Sequence, residues 1–343
     1  MRSLVLSLFV LSACSAPSPV ADAGQPGSLS LWVPHLNLDQ VQVYAGSRLN
    51  ADIAGAPDVT LSMPPGCHPN ALAFDARGDL WVTCNGSHQL LSYASASLQQ
   101  TGSPAPKVTL DSDGVSLESP IGLVFDADGA LWVAATAKLE FYPAAKLVTS
   151  GQVSPARTLF AFLEYPAALV FGAGGALWVS NASFVQANNR VLAFTPAQLV
   201  AAGIQVPQLE LSSPSFNLVE GLAFTPGGEL WVANNDGFSV ARFSAADVTV
   251  PALAAVRAVV PVASLENDAA DLRTVRKPGG LFLDASGTLY VNSQKSDLVA
   301  NDARVLRYSA AQLAGLVGGQ PVPASALFES TSSSPGFGGL VLH

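Results

Sequence analysis

Residues 122–133 read GLVFDADGALWV, and this segment carries the strongest structural signal in the chain. Short apolar runs, residues 122–125 and 130–133, lie on the two sides of the tetrad Asp126-Ala127-Asp128-Gly129. Two short apolar runs separated by an Asp/Gly-rich tetrad predict two antiparallel strands joined by a tight turn. The segment is therefore predicted to be a β-hairpin.

The same hairpin pattern recurs along the chain. Five complete copies occupy residues 71–82, 122–133, 168–179, 221–232 and 280–291. In each copy a leucine precedes an aromatic residue by nine positions, and the aromatic residues are Trp81, Trp132, Trp178, Trp231 and Tyr290. A sixth copy is divided between GGLVLH at 338–343 and SLSLWV at 28–33. We interpret the aromatic series as packing between repeats.

Each hairpin is followed by further strand-like segments. An aromatic residue precedes an aliphatic one by five positions in every unit, for example Tyr93 and Leu98, and short aliphatic stretches such as 107–110 follow. Four strands per unit, with 46 to 59 residues between the repeated leucines, are typical of β-propeller blades. We therefore predict an all-β fold, a six-bladed β-propeller over residues 28–343 as a single domain, closed by pairing of the N- and C-terminal strands. An open solenoid would require capping units, whereas the two terminal segments complement each other.

Composition excludes several classes of protein. The chain has 343 residues, of which 49% are hydrophobic and 12% charged, so its bulk is too apolar for intrinsic disorder. Its formal charge of −9 does not fit a surface that binds nucleic acid. Gly and Pro interrupt the apolar runs below the length of about 20 residues that a bilayer span needs.

The N-terminal segment predicts export. Residues 1–13 have the charged, apolar and small-residue order of a signal peptide. Leu11-Ser12-Ala13-Cys14 resembles the lipobox of bacterial lipoproteins, which implies cleavage before Cys14 and acylation of that residue, with palmitate among the chains. Residues 14–27 are then the lipidated cysteine and a flexible tether. The expected location is the bacterial cell envelope, lipid-anchored at the outer membrane and either periplasmic or surface-facing; an ordinary signal peptide is the alternative.

The two other cysteines flank the first complete hairpin. Cys67 and Cys84 are expected to lie nearly opposite each other across two antiparallel strands, which favours a disulfide in an oxidising compartment. The alternative is a Cys/His metal site that also includes His68 and His88.

Candidate site residues are expected at equivalent positions of the repeats, because propellers commonly bind ligands at the mouth of the central channel. The residue before the Gly/Ala-Leu of each hairpin is polar in two copies, Asn70 and Glu220, and these lie three blades apart. Three positions after the aromatic residue stand His35, Asn181 and Asn234, which are expected to lie in loops between strands. All five are predicted channel residues.

The repeats resemble NHL and SMP-30/gluconolactonase-like propellers through the pattern P-x-G-L-x-F-D-x-x-G-x-L-W-V, seen best at residues 120–133. That resemblance implies a divalent cation, Ca²⁺ for example, held by a Glu, two Asn and an Asp. Glu220 and Asn70 match two of these ligands, and Asn181 or Asn234 would supply another. The aspartate is missing, because Gly279 and Gly338 stand at the comparable positions.

A second resemblance is to streptogramin lyases, which depend on a histidine, and here only His35 falls on a channel position. The sequence identifies no catalytic residue. We therefore expect a membrane-anchored binding or scaffold module for a protein, peptide or glycan ligand, held on the lipid bilayer through acylated Cys14. The alternative is a divalent-metal-dependent, lactonase-like hydrolase or a lyase with its site in the channel.

Overall fold

The chain folds into six sheets, each with an antiparallel four-stranded core, which form the blades of a β-propeller, as the repeats predicted. The structure is a computed structural model, and it describes residues 29–271, 273–294, 303–329 and 339–343. The predicted signal peptide, the lipidation site Cys14 and the tether of residues 14–27 lie outside the described residues.

Each blade contains four antiparallel strands, numbered from the innermost outward. Blade 1 consists of Val341–Leu342, Leu31–His35, Gln40–Tyr44 and Val59–Ser62. Blade 2 consists of Pro69–Phe74, Leu80–Cys84, Gln89–Tyr93 and Val108–Asp111. Blade 3 consists of Leu123–Phe125, Leu131–Ala135, Lys138–Tyr142 and Arg157–Phe160.

The remaining three blades follow the same order. Blade 4 consists of Tyr165–Phe171, Leu177–Ala182, Arg190–Phe194 and Leu209–Ser212. Blade 5 consists of Val219–Phe224, Leu230–Asn234, Ser239–Phe243 and Ala263–Glu266. Blade 6 consists of Leu281–Leu283, Leu289–Gln294, Ala303–Tyr308 and Ala326–Glu329.

The hairpin turns are fixed by side-chain hydrogen bonds. The Asp126 carboxylate accepts hydrogen bonds from the backbone N–H groups of Asp128 and Ala130, at 3.0 and 2.9 Å. Gly129 has φ of +73°, a conformation that a residue without Cβ adopts freely. Asp and Gly thus occupy this tetrad because the turn needs a backbone acceptor and a left-handed residue.

The repeated tryptophans pack between blades. Trp81, Trp132, Trp178 and Trp231 are at most 2% exposed. Trp178 contacts Phe224 of the next blade edge-on, with ring centroids 5.4 Å apart, and Trp81 is placed similarly against Phe125 at 6.1 Å. The aromatic series is therefore inter-blade core, as predicted.

The two ends of the described ring close in one sheet, which confirms the predicted closure. Leu31 pairs with Leu342 and Trp32 with Val341. Ser30 and His343 also exchange backbone hydrogen bonds of 2.7 and 3.0 Å. The first and last described segments therefore complete blade 1.

The outer edges of the blades differ from the prediction of four strands. Five blades carry a short fifth strand that runs parallel to the fourth, and the next blade supplies it. In order from blade 2 to blade 6 these strands are Gly151–Gln152, Gly203–Ile204, Ala255–Ala258, Gly318–Pro321 and Ile53–Ala54. On blade 1 a single parallel bridge between Leu61 and Gly102 takes this place. Every blade is therefore linked to its neighbour at the rim as well as through the core.

Helices are confined to short connections. The α-helices are Pro196–Leu199 and Ala310–Ala314, and each begins with a capping box, at Thr195 and Ser309. The 3₁₀ helices are Leu36–Leu38, Gly46–Arg48, Ser95–Ser97, Ala144–Lys146, Ala173–Gly175 and Gln186–Asn188. In the part of the chain that the structure describes, no helix combines the length and apolar character needed to cross a bilayer.

The two faces of the ring follow from the strand directions. We call the face with the turns between strands 1 and 2 and the connections between strands 3 and 4 the hairpin face. We call the opposite face, with the turns between strands 2 and 3 and the connections between blades, the loop face. The described chain begins at Leu29, which lies on the hairpin face. Leu31 pairs with Tyr44, the last residue of strand 3, and strand 3 ends on that face.

Candidate functional site

Asn70 and Glu220 lie near the loop face on the innermost strands of blades 2 and 5, which stand opposite each other in the ring. Each strand has an irregular register at this point, between Pro69 and Leu72 and between Val219 and Leu222. Such bulges redirect a side chain and recur near functional sites. Asn70 and Glu220 therefore both lie at the irregular point of an inner strand.

Both side chains have a buried oxygen without a hydrogen-bond partner among the described residues. Asn70 is 7% exposed, and the atom concerned is its Oδ1. Glu220 is partly buried, and the atom concerned is its Oε2. Because an unpartnered buried polar atom costs free energy, two such atoms at one end of the channel are candidate ligand contacts.

The surroundings of Glu220 keep its carboxyl group neutral. Burial raises its pKa to about 8, and the negative charge of Asp236 acts in the same direction. Lys277 and a hydrogen bond from the Asn235 side chain oppose this shift. Glu220 is thus mainly protonated at pH 7 and offers an O–H donor.

The groups around Glu220 come from two blades. Asp236 lies in the turn after strand Leu230–Asn234 of blade 5, and Lys277 precedes the inner strand of blade 6. Lys277 Nζ is 3.1 Å from Asp236 Oδ1, and Asn235 Nδ2 donates to the Pro278 carbonyl at 3.4 Å. The backbone N–H of Asp236 donates to the Asn217 carbonyl at 3.2 Å. These bonds fix the turn beside the carboxyl group.

The other predicted channel residues lie elsewhere. Asn181, Asn234 and His35 are on the second strands of their blades and are at most 4% exposed, so they do not line the wall formed by the inner strands. Sequence spacing predicts loop positions for them, but each second strand extends through that position. Asn181, Asn234 and His35 are therefore buried strand residues and not residues of the loops between strands.

Asn181 and Asn234 accept hydrogen bonds from backbone groups of the protein, and His35 lies beside a small cavity. Asn181 Oδ1 accepts from the Glu164 N–H at 2.8 Å, and Asn234 Oδ1 accepts from the Asn217 N–H at 2.9 Å. The two asparagines therefore hold the inter-blade connections. His35 borders a cavity of about 10 Å³ between blades 1 and 6, whose other lining residues include Asn292 and Arg304.

The cysteines of blade 2 form a disulfide. Cys67 and Cys84 are fully buried, their Cα atoms are 4.4 Å apart and their sulfurs are bonded. Both thiols are thereby used, which leaves none for the alternative Cys/His metal site. His88 Nδ1 instead accepts the Ser119 N–H at 2.8 Å and lies 3.8 Å from Glu118 Oε2.

Metal-ligating side chains are dispersed. Among the described residues no three His, Cys, Asp or Glu side chains come together as a cation site. Glu220 is mainly neutral at pH 7, and Asn70 lies across the ring from it. The arrangement therefore does not reproduce the ligand set that the SMP-30 resemblance implies, since calcium requires about 6 to 8 oxygen ligands.

An exposed aromatic cluster on the loop face of blade 4 was not predicted. Phe162, Tyr165, Phe184 and Val185 are 84%, 48%, 78% and 57% exposed, and we call them the aromatic patch. The rings of Tyr165 and Phe184 contact edge-on with centroids 5.4 Å apart. The length of the turn between strands 2 and 3 is the sequence signal that could have indicated these residues. Residues 183–189 form this turn in blade 4, whereas residues 136–137 form it in blade 3.

Polar groups adjoin the aromatic patch. Asn188 Nδ2 donates to Glu164 Oε1 at 2.9 Å, and Glu164 immediately precedes Tyr165. Blade 4 is next to blade 5, so the patch and Glu220 belong to adjacent blades of one face. The loop face thus combines exposed rings, a neutral carboxyl group and amide side chains.

Comparison with known proteins supports the fold. No protein-family model matches the chain, and no curated protein matches its sequence. A streptogramin B lyase structure is 14% identical, with a TM-score of 0.52, covering 83% of this chain and 82% of that one. A protein of unknown function from Bacteroides caccae is 12% identical with a TM-score of 0.54 and coverages of 89% and 99%. Virginiamycin B lyase from Staphylococcus aureus is 14% identical with a TM-score of 0.50, covering 83% of this chain and 84% of that one.

At these identities the similarity establishes the β-propeller fold alone. The NHL and SMP-30 resemblance remains a prediction from the repeat pattern.

Proposed function

We propose that this chain is an exported, lipid-anchored binding propeller that takes a peptide or a protein segment at the channel mouth of its loop face. The observation that carries the proposal is that the aromatic patch of blade 4 lies on the same face of the ring as the neutral carboxyl group of Glu220, in the adjacent blade 5. Exposed apolar clusters with polar surroundings mark interaction sites, and aromatic residues are enriched at the centres of protein interfaces.

The chemistry of the mouth suits a ligand rich in backbone groups. Protonated Glu220 donates a hydrogen bond to a carbonyl oxygen, while Asn70 Oδ1 accepts one from an N–H group. Phe162, Tyr165 and Phe184 supply ring surface for an apolar side chain. A peptide satisfies all three requirements at once.

Membrane attachment is the second part of the proposal, and the lipobox-like sequence Leu11-Ser12-Ala13-Cys14 supports it. Acyl chains contribute about 0.8 kcal/mol per buried methylene, so an acylated Cys14 would hold the protein on a bilayer without a spanning segment. Labelling the expressed protein with a palmitate analogue tests this part. A Cys14→Ser variant is expected to lose the label.

A divalent-metal-dependent hydrolase or lyase is the second candidate, because Glu220 and Asn70 lie on opposite inner strands. In its favour, a carboxyl group whose pKa is near neutral is suited to proton transfer. Against it, the described residues do not gather metal-ligating side chains at Glu220. The binding function is therefore better supported.

The test is a peptide-library selection on the acylated full-length protein, followed by calorimetric titration of the selected peptide. Phe184→Ala and Glu220→Leu, which remove a ring and a hydrogen-bond donor respectively, are each expected to weaken binding about tenfold, which corresponds to about 1.4 kcal/mol. Val148→Ala is the matched control, because Val148 is 59% exposed but lies in a connection on the hairpin side. Equal affinity of all variants, or binding of glycans alone, would contradict the proposal.

A further inference from the structure

The rim of the ring is chemically divided into two halves. In blades 4, 5 and 6 the connections between strands 3 and 4 span residues 195–208, 244–262 and 309–325. Together these connections contain two charged residues, Asp247 and Arg257. The equivalent connections of blades 1 to 3 span 45–58, 94–107 and 143–156 and, although shorter in total, contain five, namely Arg48, Asp52, Asp58, Lys107 and Lys146.

Exposed aliphatic side chains follow the same division. On blades 4 to 6 eight of them are between 44% and 82% exposed, and we call them the apolar rim: Val200, Ile204, Val206, Leu253, Val256, Val260, Val262 and Val317. Among the described residues of the equivalent connections in blades 1 to 3, only Val148 is comparably exposed. The apolar rim therefore extends over three consecutive blades.

The two charged residues within the connections of blades 4 to 6, Asp247 and Arg257, are hydrogen-bonded to the protein. Arg257 Nη1 donates to the backbone carbonyl groups of Ala246, Asp247 and Thr249, and the Asp247 carboxylate accepts from the Ser244 hydroxyl at 2.7 Å. The outermost strands Gly203–Ile204 and Ala255–Ala258 carry no further strand on their outer edges among the described residues. The surface is thus apolar and poor in charge, and its strand edges are unpaired.

We infer that the apolar rim rests on the lipid bilayer that holds Cys14. This inference depends on the lipid anchoring proposed above. The acyl chains of Cys14 would hold the protein on the bilayer, and a charge-poor aliphatic surface adds apolar contact with the same bilayer. Removing these aliphatic side chains from water is favourable.

The position of the tether permits this contact. The described chain begins at Leu29 on the hairpin face, and residues 15–28 separate it from Cys14. Fourteen residues extend to about 50 Å at most, which is about the width of a domain of this size. The rim therefore reaches the bilayer while the loop face, with Glu220 and the aromatic patch, stays accessible from the side.

The experiment uses an environment-sensitive fluorophore on the acylated full-length protein in phosphatidylcholine vesicles. Leu253→Cys and Val256→Cys variants carry the label on the apolar rim, and a Val148→Cys variant carries it at the matched connection of blade 3. The native Cys67 and Cys84 do not compete because they are disulfide-bonded. Brominated lipids are expected to quench both rim labels at least twofold and to leave the label at position 148 unchanged.

The outcomes separate the two proposals. Protein that carries palmitate and sediments with vesicles, but whose rim labels are not quenched, overturns the rim contact and leaves anchoring intact. Protein without palmitate that stays in the supernatant overturns the anchoring itself. Rim labels that are shielded from water without lipid quenching, and that transfer energy between copies, would assign the apolar rim to a second copy of the chain and overturn the lipid contact.

Discussion

His343 stacks on Phe74, with ring centroids 3.8 Å apart and ring planes 10° apart. This residue therefore lies against the innermost strand of blade 2 as well as completing blade 1. The strand Val341–Leu342 that precedes it thus connects two blades at the centre of the ring.

Deleting residues 339–343 is expected to lower the free energy of unfolding by about 3–5 kcal/mol, because the buried Leu340 and the terminal strand are lost together. The ring should remain folded, since Ile53–Ala54 still pairs with blade 6 at the rim. Urea unfolding followed by circular dichroism measures the loss. His343→Ala is the milder variant, with an expected cost of about 1 kcal/mol; no change in the deletion variant would contradict the role of the closure.

Replacing both Cys67 and Cys84 by Ser is expected to destabilise the protein by about 3 kcal/mol. The cross-link closes a loop with a sequence separation of 17, which restricts the unfolded chain. Urea unfolding of the variant and of the oxidised wild type gives the difference, and wild type under reducing conditions should resemble the variant. Two free thiols in the mass spectrum of purified, unreduced protein would refute the bond.

Glu220→Gln is expected to flatten the dependence of stability on pH. The folded pKa of Glu220 is about 8, above its ordinary value of 4.5, so the folded state favours the protonated form. That contribution is complete below pH 4.5 and is lost as the pH rises to 8, at about 1.4 kcal/mol per pKa unit of difference. Unfolding titrations from about pH 4 to 9 should show wild type losing stability relative to the variant, and parallel curves would count against a buried neutral carboxyl group.

The two charges beside Glu220 should move its pKa in opposite directions. Asp236→Asn removes a negative neighbour and is expected to lower the pKa, whereas Lys277→Met removes a positive one and is expected to raise it. Carbon-13 NMR titration of the labelled carboxyl group provides the measurement. Shifts of the same sign in both variants would show that the pKa responds to a structural change and not to charge.

Millimolar Ca²⁺ is expected to leave the Tm of the protein unchanged at pH 7. Glu220 is mainly neutral at that pH, and the described residues place no group of three metal-ligating side chains together. Differential scanning fluorimetry with and without Ca²⁺ tests this. A stabilising shift that disappears in Glu220→Ala would favour the metal-dependent hydrolase.

The periodic part of the fold was predictable from the sequence, because the short apolar runs, the turn residues and the nine-residue interval from Leu to an aromatic residue are local signals. The fifth strands were not. Gly151–Gln152 and Gly203–Ile204 are two residues long, show no alternation and pair in parallel with another blade. Such pairing depends on how blades are arranged and leaves little trace in either segment.

Part of the candidate site was predictable because the repeats define equivalent positions in the six blades. Comparing equivalent positions located Glu220 and Asn70, because the inner strand occupies the same place in every repeat. The raised pKa of Glu220 depends first on its burial, and then on Asp236 of its own blade and Lys277 of the next, which lie together only after folding. Asn234 was misplaced because spacing alone does not reveal where a strand ends.

The segments exchanged at the rim link every pair of neighbouring blades, five times by a short strand and once by the bridge between Leu61 and Gly102. Blade 1, which the first and last described segments complete, takes part in this exchange, because it gives Ile53–Ala54 to blade 6 and receives the bridge from blade 2. The rim links of blade 1 consequently do not depend on the order in which the chain supplies its four strands. A circular permutant that joins residue 343 to residue 29 and opens at the turn of residues 126–129 would retain every rim linkage.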